Sequence, residues 1–496
     1  MTTYYVDIGV VRIQEYINRT SGSDGHVLRR RRGASRMVAD VTRVESVIAT
    51  FADETGALHE SWQLGRNTET YDTEGVAHLK LVAGASADRT VQEVVAVLLG
   101  QVRHGAPQAY LRASWAQAES YARALPLLKA ALRGEHPAEA GASDVLPPAR
   151  DEVLSARCTS CGRAPASLGE YCQDCVRREQ LGSRGIDDAT LSPQDEALVT
   201  LSNQWPKIVQ AGDLSKLARL PGRTAPGQGG SGKLNHLATI YADGNNVGAL
   251  FRSISGDLDR AKVVSAALNR TTKSSGHAAL ADLLSAIYGP APTPGPYVLP
   301  GEVTTLAADD VLITVPASYG WRFVLTLVDS FNEAIARELG DSFNQSMPSL
   351  TAGITFHHCK LPIEEAVSTA FGVMRQAKDA CRGTQSAIGW ADLTAADPVR
   401  TREFTWFRDH NDDLSKVAGM PHSQAAKYRQ FLIQLNDRDP AQVHDFLRQE
   451  SNRDGAGRWI GSILDSHPAQ PEAALEHLGD ALNLAAWFPQ EPGEDE

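Results

Sequence analysis

The 496-residue chain has no apolar run of transmembrane length and no secretory leader, so a cytoplasmic protein without membrane contact is expected. It also has no excess of positive charge. Its 48 Lys and Arg face 60 Asp and Glu, for a formal net charge of −12, which excludes a protein that coats nucleic acid by bulk charge. Cysteine is scarce. Of six, Cys359 and Cys381 stand alone, which argues against a disulfide scaffold. His444-Asp445 is the sole His-Asp dipeptide and lacks the further His and Asp of an HD-type nuclease centre, so no nuclease domain is expected. Gly227 and Gly232-Lys233 approach P-loop spacing, but Leu234 follows where Ser or Thr is required. The segment from Pro221 to Lys233 therefore reads as a flexible linker.

What remains is ordinary globular material, 42% hydrophobic and 22% charged. At about 150 residues per domain, the length predicts three or four compact units. The most specific motif is Cys158-Thr-Ser-Cys161-Gly162 followed by Cys172-Gln-Asp-Cys175. Two C-x-x-C knuckles suit four thiolates around one tetrahedral Zn2+, with Gly162 permitting a tight turn. Two disulfides, or a redox role for one knuckle, are the alternatives; the pairing and the missing leader favour structural zinc. Four protein ligands close the site, making it a staple and not a catalytic centre.

The second kind of motif is acidic. Tyr241-Ala-Asp-Gly-Asn-Asn-Val-Gly248 and Leu306-Ala-Ala-Asp-Asp-Val-Leu-Ile313 set acids at the ends of short apolar runs. Carboxylates on neighbouring strand ends can hold two divalent ions about 3.5–4 Å apart, which then act on a triphosphate. Mg2+ or Mn2+ suits such hard oxygen ligands. Taken singly, either motif also reads as a surface turn, because Asp, Asn and Gly are turn residues.

The order of elements joins them. A strand over His236–Ala242 leads to Asp243, and Asp257–Tyr288 is one long helix or two short ones. Gly301–Leu306 and Val311–Val315 form a hairpin with Ala307-Ala308-Asp309-Asp310 at its tip. A helix over Gly320–Leu339, a strand over Ser349–His357, an amphipathic helix over Ile363–Arg382 and a closing strand over Ala387–Leu393 follow. This β-α-β-β-α-β order is ferredoxin-like and lets the first strand end and the hairpin tip meet.

With these residues in place, the segment from His236 to Leu393 resembles the palm domain shared by GGDEF-type cyclases and the large polymerase-like subunit of type III CRISPR effector complexes. Asp243-Gly-Asn-Asn-Val-Gly248 is similar to the Asp-x-Asp-Asn-x-Gly of that subunit, and Ala307-Ala-Asp-Asp310 stands where it carries Gly-Gly-Asp-Asp. Ala377-Lys378 with Arg382 resembles its Ala-Lys-x-x-x-Arg run, and Leu350–His358 the strand after its second helix. The resemblance implies that Asp243, Asp309 and Asp310 are catalytic, with Asp243 and Asp309 holding magnesium. It further implies that Asn246, Gly248, Ala307, Ala308, Lys378 and Arg382 bind nucleotide. Spaced i and i+4, Lys378 and Arg382 would project from one helix face toward a triphosphate, or form a solvated helix end. Two departures bear on turnover. Ala307 and Ala308 replace glycines that permit positive φ and close approach, though alanine fits a type I turn. Asn245 replaces an acid.

The first 150 residues fit a second ferredoxin-like unit without the acidic motif, with strands over Thr3–Val11, Val76–Ala83 and Tyr110–Trp115. Helices are predicted over Arg12–Ile17, Met37–Ala52 and Val91–Val102. Val11–Ile17 and Arg32-Gly-Ala-Ser35 resemble the start of the family's first palm. Leu28-Arg-Arg-Arg-Arg-Gly-Ala-Ser-Arg36 is the one dense basic run, either a solvated face or a contact to RNA or nucleotide; no aromatic interleaves it for base stacking. Residues 396–496 read as helical over Gln424–Leu435, Ala441–Gln449 and Ala473–Trp487, with Glu491–Glu496 an acidic tail.

The expected fold is thus α+β: a degenerate first palm (1–145), a zinc ribbon (146–185), a second palm with the metal and nucleotide site (186–395) and a helical C-terminal domain (396–496). The resemblance implies a short form of the subunit that joins ATP into oligoadenylates, cyclic in form, for antiviral defence. Its partners would be ATP, other subunits of the complex, and guide and target RNA through that complex. A catalytically silent scaffold subunit and a stand-alone GGDEF-like cyclase are the alternative readings.

Overall fold

The computed structural model describes residues 2–488 apart from 21–25, 55–60, 72–74, 86, 88, 148–155, 184–190, 221–234, 255, 290–295, 341–346, 395–398, 467–469 and 486. The linker that resembles a P-loop and the acidic tail lie outside the described residues.

The first sheet is built from β1 (Thr2–Val11), β2 (Trp62–Arg66), β3 (Val76–Ala83), β4 (Tyr110–Gln117) and β5 (Ala140–Val145), in the order β2-β3-β1-β4-β5. Its pairings are antiparallel. Side chains alternate across β1. Val6, Ile8 and Val10 face a core shared with Met37, Phe51, Leu98 and Val102, which come from helices Val27–Val41, Val44–Glu54 and Val91–Gly105. Thr90 and Glu93 start the last of these helices as a reciprocal capping box.

Beyond β5 comes the cysteine-rich segment and its helix Gln173–Gly182, then helix Pro193–Ser202, with Pro193 in its first turn and a Ser192–Asp195 capping box. A short parallel pair, β6 (Ile208–Val209) with β8 (Tyr297–Val298), flanks the second sheet.

That sheet contains β7 (His236–Asn245), β9 (Glu302–Ala307), β10 (Asp310–Pro316), β11 (Ser349–His358), β12 (Ala387–Asp392) and β13 (Arg400–Glu403), ordered β13-β12-β11-β7-β10-β9. β7 is central and covered on both faces, which explains its unbroken buried run from Leu237 to Ala242. Helices Leu258–Tyr288 and Gly320–Leu339 cover one face, and helix Ile363–Ala380 packs on the other against Tyr241 and Leu312. The expected Asp257–Tyr288 segment is a single helix, capped by the Asp257 carboxylate accepting from the Arg260 N–H at 2.9 Å.

One expectation on topology is corrected. The ferredoxin-like unit closes at β11, which lies antiparallel beside β7; β12 is an addition, parallel to β11 across helix Ile363–Ala380. β13 then extends the sheet from within the region expected to be helical. The C-terminal helices include His422–Gln434, Pro440–Arg453 and Pro471–Leu484, near the expected positions, and Gly457–Ser466, which was not expected. His444, on Pro440–Arg453, is bonded through Nε2 to the Leu464 carbonyl at 2.6 Å.

The basic run lies mostly inside the protein, and of its arginines only Arg29 is exposed. It lies in helix Val27–Val41, and Arg30, Arg31, Arg32 and Arg36 are all buried. Arg30 pairs with Glu179 at 3.0 Å and Arg36 with Asp195 at 2.8 Å, while Arg32 lies 3.8 Å from Glu302. Arg31 donates to Asn18 Oδ1 at 3.1 Å and Thr304 Oγ1 at 2.6 Å. Buried guanidinium groups need such partners, because an isolated buried charge is strongly disfavoured. The run therefore ties the first sheet's helix to the cysteine-rich helix and to edge strand β9. Helix–helix approach is close here: a Cβ on Gly33 would lie 1.7 Å from the Arg178 carbonyl oxygen. Among the described residues, no helix is long and apolar enough to cross a membrane.

Candidate metal and nucleotide sites

The four knuckle cysteines come together with all their sulfur atoms within 4.8 Å of one another. Cys158, Cys172 and Cys175 are buried and Cys161 is half-buried. Gly162 has φ 62°, the left-handed turn for which the sequence supplies glycine. Cys172 is the N-cap of helix Gln173–Gly182, its sulfur accepting from the Cys175 N–H at 3.5 Å. Bonds from the other three thiols pull the Cys158 thiol well below its usual pKa, so one thiolate is already favoured. All-sulfur donors at this spacing fit a metal such as zinc.

The acidic site forms at the opposite chemical extreme. Asp243, half-buried, follows the buried run Leu237–Ala242 of β7; Asp309 lies in the two-residue tip between β9 and β10, and Asp310 opens β10. Gly244 makes room for them, since a Cβ there would sit 2.8 Å from Asp309 Cβ and 3.0 Å from its carboxylate oxygen. Tyr241 Oη reaches Asp310 Oδ1 at 3.5 Å. Burial, then the Asp243 charge, pushes Asp309 up to about 6; burial, then Asp309 and Asp243, pushes Asp310 up to about 7. Carboxylates gathered this closely call for neutralising positive charge. Lys378 supplies part of it, its ammonium bonded to Asp243 and, at 2.8 Å, to the Gly244 carbonyl. The donor set is hard oxygen throughout and fits Mg2+ or Mn2+. Unlike the cysteine sulfurs, the oxygens of these three carboxylates do not all lie within 4.8 Å of one another. A Mg2+ site that keeps waters and uses substrate phosphates does not need that closure.

The other expected residues fall into different places. Asn246 has φ 62° and precedes helix Val247–Ser253, so it shapes the turn after β7 through its backbone. Gly248 lies in that helix, near the Arg252 side chain. Ala307 closes β9. Ala308 has φ 52°, which corrects the type I turn: the position is left-handed, where alanine costs about 1–2 kcal/mol relative to its ordinary regions. Arg382 does not share a helix face with Lys378. The helix ends at Ala380; Arg382 has φ 53°, and the Gly383 N–H returns to the Lys378 carbonyl at 2.8 Å, a Schellman-type ending. Asn245 is committed to partners other than the acids. Its buried amide reaches Thr351 Oγ1 at 2.8 Å and the Gln385 carbonyl at 2.9 Å, donor contacts that an aspartate could not make.

Sequence reasoning missed the neighbours of Lys378 on its own helix. Phe371 is 40% exposed, lies edge-on to Tyr241 at 5.2 Å, and carries the Arg375 guanidinium 5.8 Å from its ring centre. Phe371, Arg375 and Lys378 are spaced four and three apart, so they form one stripe beside the acids. An exposed phenylalanine off the apolar face of a helix was the available signal.

Residues 236–385 match the Cas10/Cmr2 second palm domain family. No curated protein matches the chain by sequence. Among solved structures, Csm1 in T. onnurineus is similar at a TM-score of 0.56 and 13% identity, over 99% of this chain and 70% of that one. A Csm1–Csm4 cassette in complex with cA4 is similar at a TM-score of 0.51 and 13% identity, over 98% and 70%. The apo cassette gives 0.51 and 12% over the same shares. At these identities the likeness establishes the fold.

Proposed function

We propose, for a chain that carries a second palm domain of the Cas10/Cmr2 kind and has the fold of Csm1, that it is a nucleotidyltransferase subunit of a type III CRISPR complex making cyclic oligoadenylates from ATP. The observation that carries this reading is the meeting of Asp243, Asp309 and Asp310 at the end of β7 inside the matched segment. The likeness to a Csm1–Csm4 cassette in complex with cA4 supports the product class.

In this reading Asp243 and Asp309 hold Mg2+ or Mn2+, with Asp310 beside them. Bound metal supplies charge that lowers the pKa of an attacking 3′-hydroxyl and neutralises leaving pyrophosphate. The chain's own residues bind and orient. Lys378, which pairs with Asp243, would meet the triphosphate beside the metal, and Arg382, on the turn after the helix, would add a second cation for the phosphates. Asn246 and Gly248 shape the backbone on which the nucleotide lies, and the Ala307-Ala308 tip borders it. Zn2+ at the knuckle cysteines staples the ribbon between the two palms. RNA is met through the assembled complex, in the cytoplasm.

Incubating the protein with labelled ATP and Mg2+ or Mn2+, alone and with its complex and target RNA, tests the proposal. Oligoadenylate formation that is lost in Asp243→Asn is the expected result. Normal assembly with no product would favour the silent scaffold, a reading that the strained alanine tip specifically supports.

A further inference from the structure

The strained tip is held from outside. Ala308 has both backbone polar groups bonded to side chains of helix Leu258–Tyr288. Its N–H donates to Asn269 Oδ1 at 3.1 Å, and its carbonyl accepts from Thr272 Oγ1 at 2.6 Å. Thr272 is fully buried. One turn further, Gly276 brings the helix against β9: a Cβ there would lie 2.5 Å from Leu306 Cδ1. Asn269, Thr272 and Gly276, spaced three and four, therefore lie on one helix face along the last strand before the tip. A left-handed alanine persists only where surrounding structure fixes it. These two bonds are the fixing contacts visible at this position, and Asp309 follows directly, packed against Gly244.

We propose that Asn269 and Thr272 are positioning residues that hold the alanine-bearing tip in the left-handed geometry bringing Asp309 and Asp310 to Asp243. A glycine at 308 would adopt this φ without help. The side-chain clamp thus stands in for the glycine that the chain lacks, and the Ala-Ala tip is compatible with a formed site. This inference rests on the metal-site reading above for its consequence, and not for the clamp itself.

Two measurements on the full chain separate them. The first is amide hydrogen exchange at Ala308, which reports the clamp without any metal. Asn269→Ala should speed that exchange roughly 3- to 10-fold, the range expected for losing one hydrogen bond. The second is Mn2+ affinity by electron paramagnetic resonance titration. Thr272→Val, which keeps shape and loses the hydroxyl, should weaken Mn2+ binding by a similar factor, and Thr272→Ser should not. Adding Ala308→Gly to Thr272→Val should recover the affinity, a rescue that general loss of packing would not show. Unchanged Ala308 exchange in Asn269→Ala, or weakened Mn2+ binding that Ala308→Gly fails to restore, overturns the proposal. If the wild-type protein binds no Mn2+, the metal reading fails, and Ala308 exchange alone decides the clamp.

Discussion

The two sheets share the order of four strands, β2-β3-β1-β4 and β9-β10-β7-β11, yet only the second carries acids where its central strand ends. β1 and β7 each pair antiparallel with a strand on either side, and each runs into a left-handed residue that opens a short helix: Arg12 with φ 56° after β1, Asn246 with φ 62° after β7. Counting back three residues from these turns sets Gly9 in the place of Asp243. Across the ladder, Val76 opposes Gly9, as Asp310 comes next to Asp243 in the register of β10 with β7. The tips differ as well. β9 and β10 are joined by two residues, whereas residues 67–75 separate β2 from β3. The same four-strand arrangement thus occurs twice, and the two copies differ in the few residues at their strand ends.

The comparison is broken most severely by removing the acids. Asp243→Asn or Asp309→Asn should lower metal-dependent product formation by more than about 100-fold, about 2.7 kcal/mol of barrier, in a labelled-ATP assay. The fold should persist, since neither carboxylate lies in a packed apolar core. Next comes the bracket between the sheets. Arg36→Ala strands Asp195 and should cost about 3–5 kcal/mol of stability by denaturant unfolding, as for other broken buried pairs. Cys161→Ser should release zinc, read by elemental analysis, and lower the thermal midpoint by about 5 °C, while Cys359→Ser should leave both nearly unchanged.

A subtler effect concerns pH. Asp309 and Asp310 hold protons in the folded metal-free state up to about 6 and about 7, above ordinary carboxylates. Between about pH 4 and 7 the folded state therefore binds more protons than the unfolded chain, so metal-free stability falls as pH rises. Metal competes with those protons, so Mn2+ affinity should rise through the same window and level off above it. A pH-independent affinity would mean that these carboxylates are not the ligands. The smallest effect is expected from grafting. Gly9→Asp should add no Mn2+ binding, because Val76 supplies no partner, and a Cβ at Gly9 meets the Gly75 carbonyl oxygen at 3.0 Å.

The sequence was legible where information is local. Strand β7, the hairpin and its acids, and both cysteine knuckles combine a short apolar run or fixed spacing with residues of one chemistry, and each formed where expected. It was illegible where partners are distant. The arginine run looks like a surface feature because Glu179 lies 149 positions from Arg30 and Asp195 lies 159 from Arg36. Burial of that helix is set by what docks on it, which no local pattern records. Asn269 and Thr272 look like unremarked helix positions until the turn 39 and 36 residues later comes to rest on them. The strand that closes the ferredoxin-like unit was placed one element late, since β11 and β12 are both short apolar strands and only pairing direction separates them.

The central claim, that the strand-end carboxylates of the second sheet form a metal and nucleotide site, is tested most directly by titrating Mn2+ with ATP into the wild-type protein and into Asp309→Asn. The account predicts ATP-dependent Mn2+ binding in the wild type and at least about a tenfold loss, about 1.4 kcal/mol, in the variant. Equal binding by both proteins, or none by either, would contradict it.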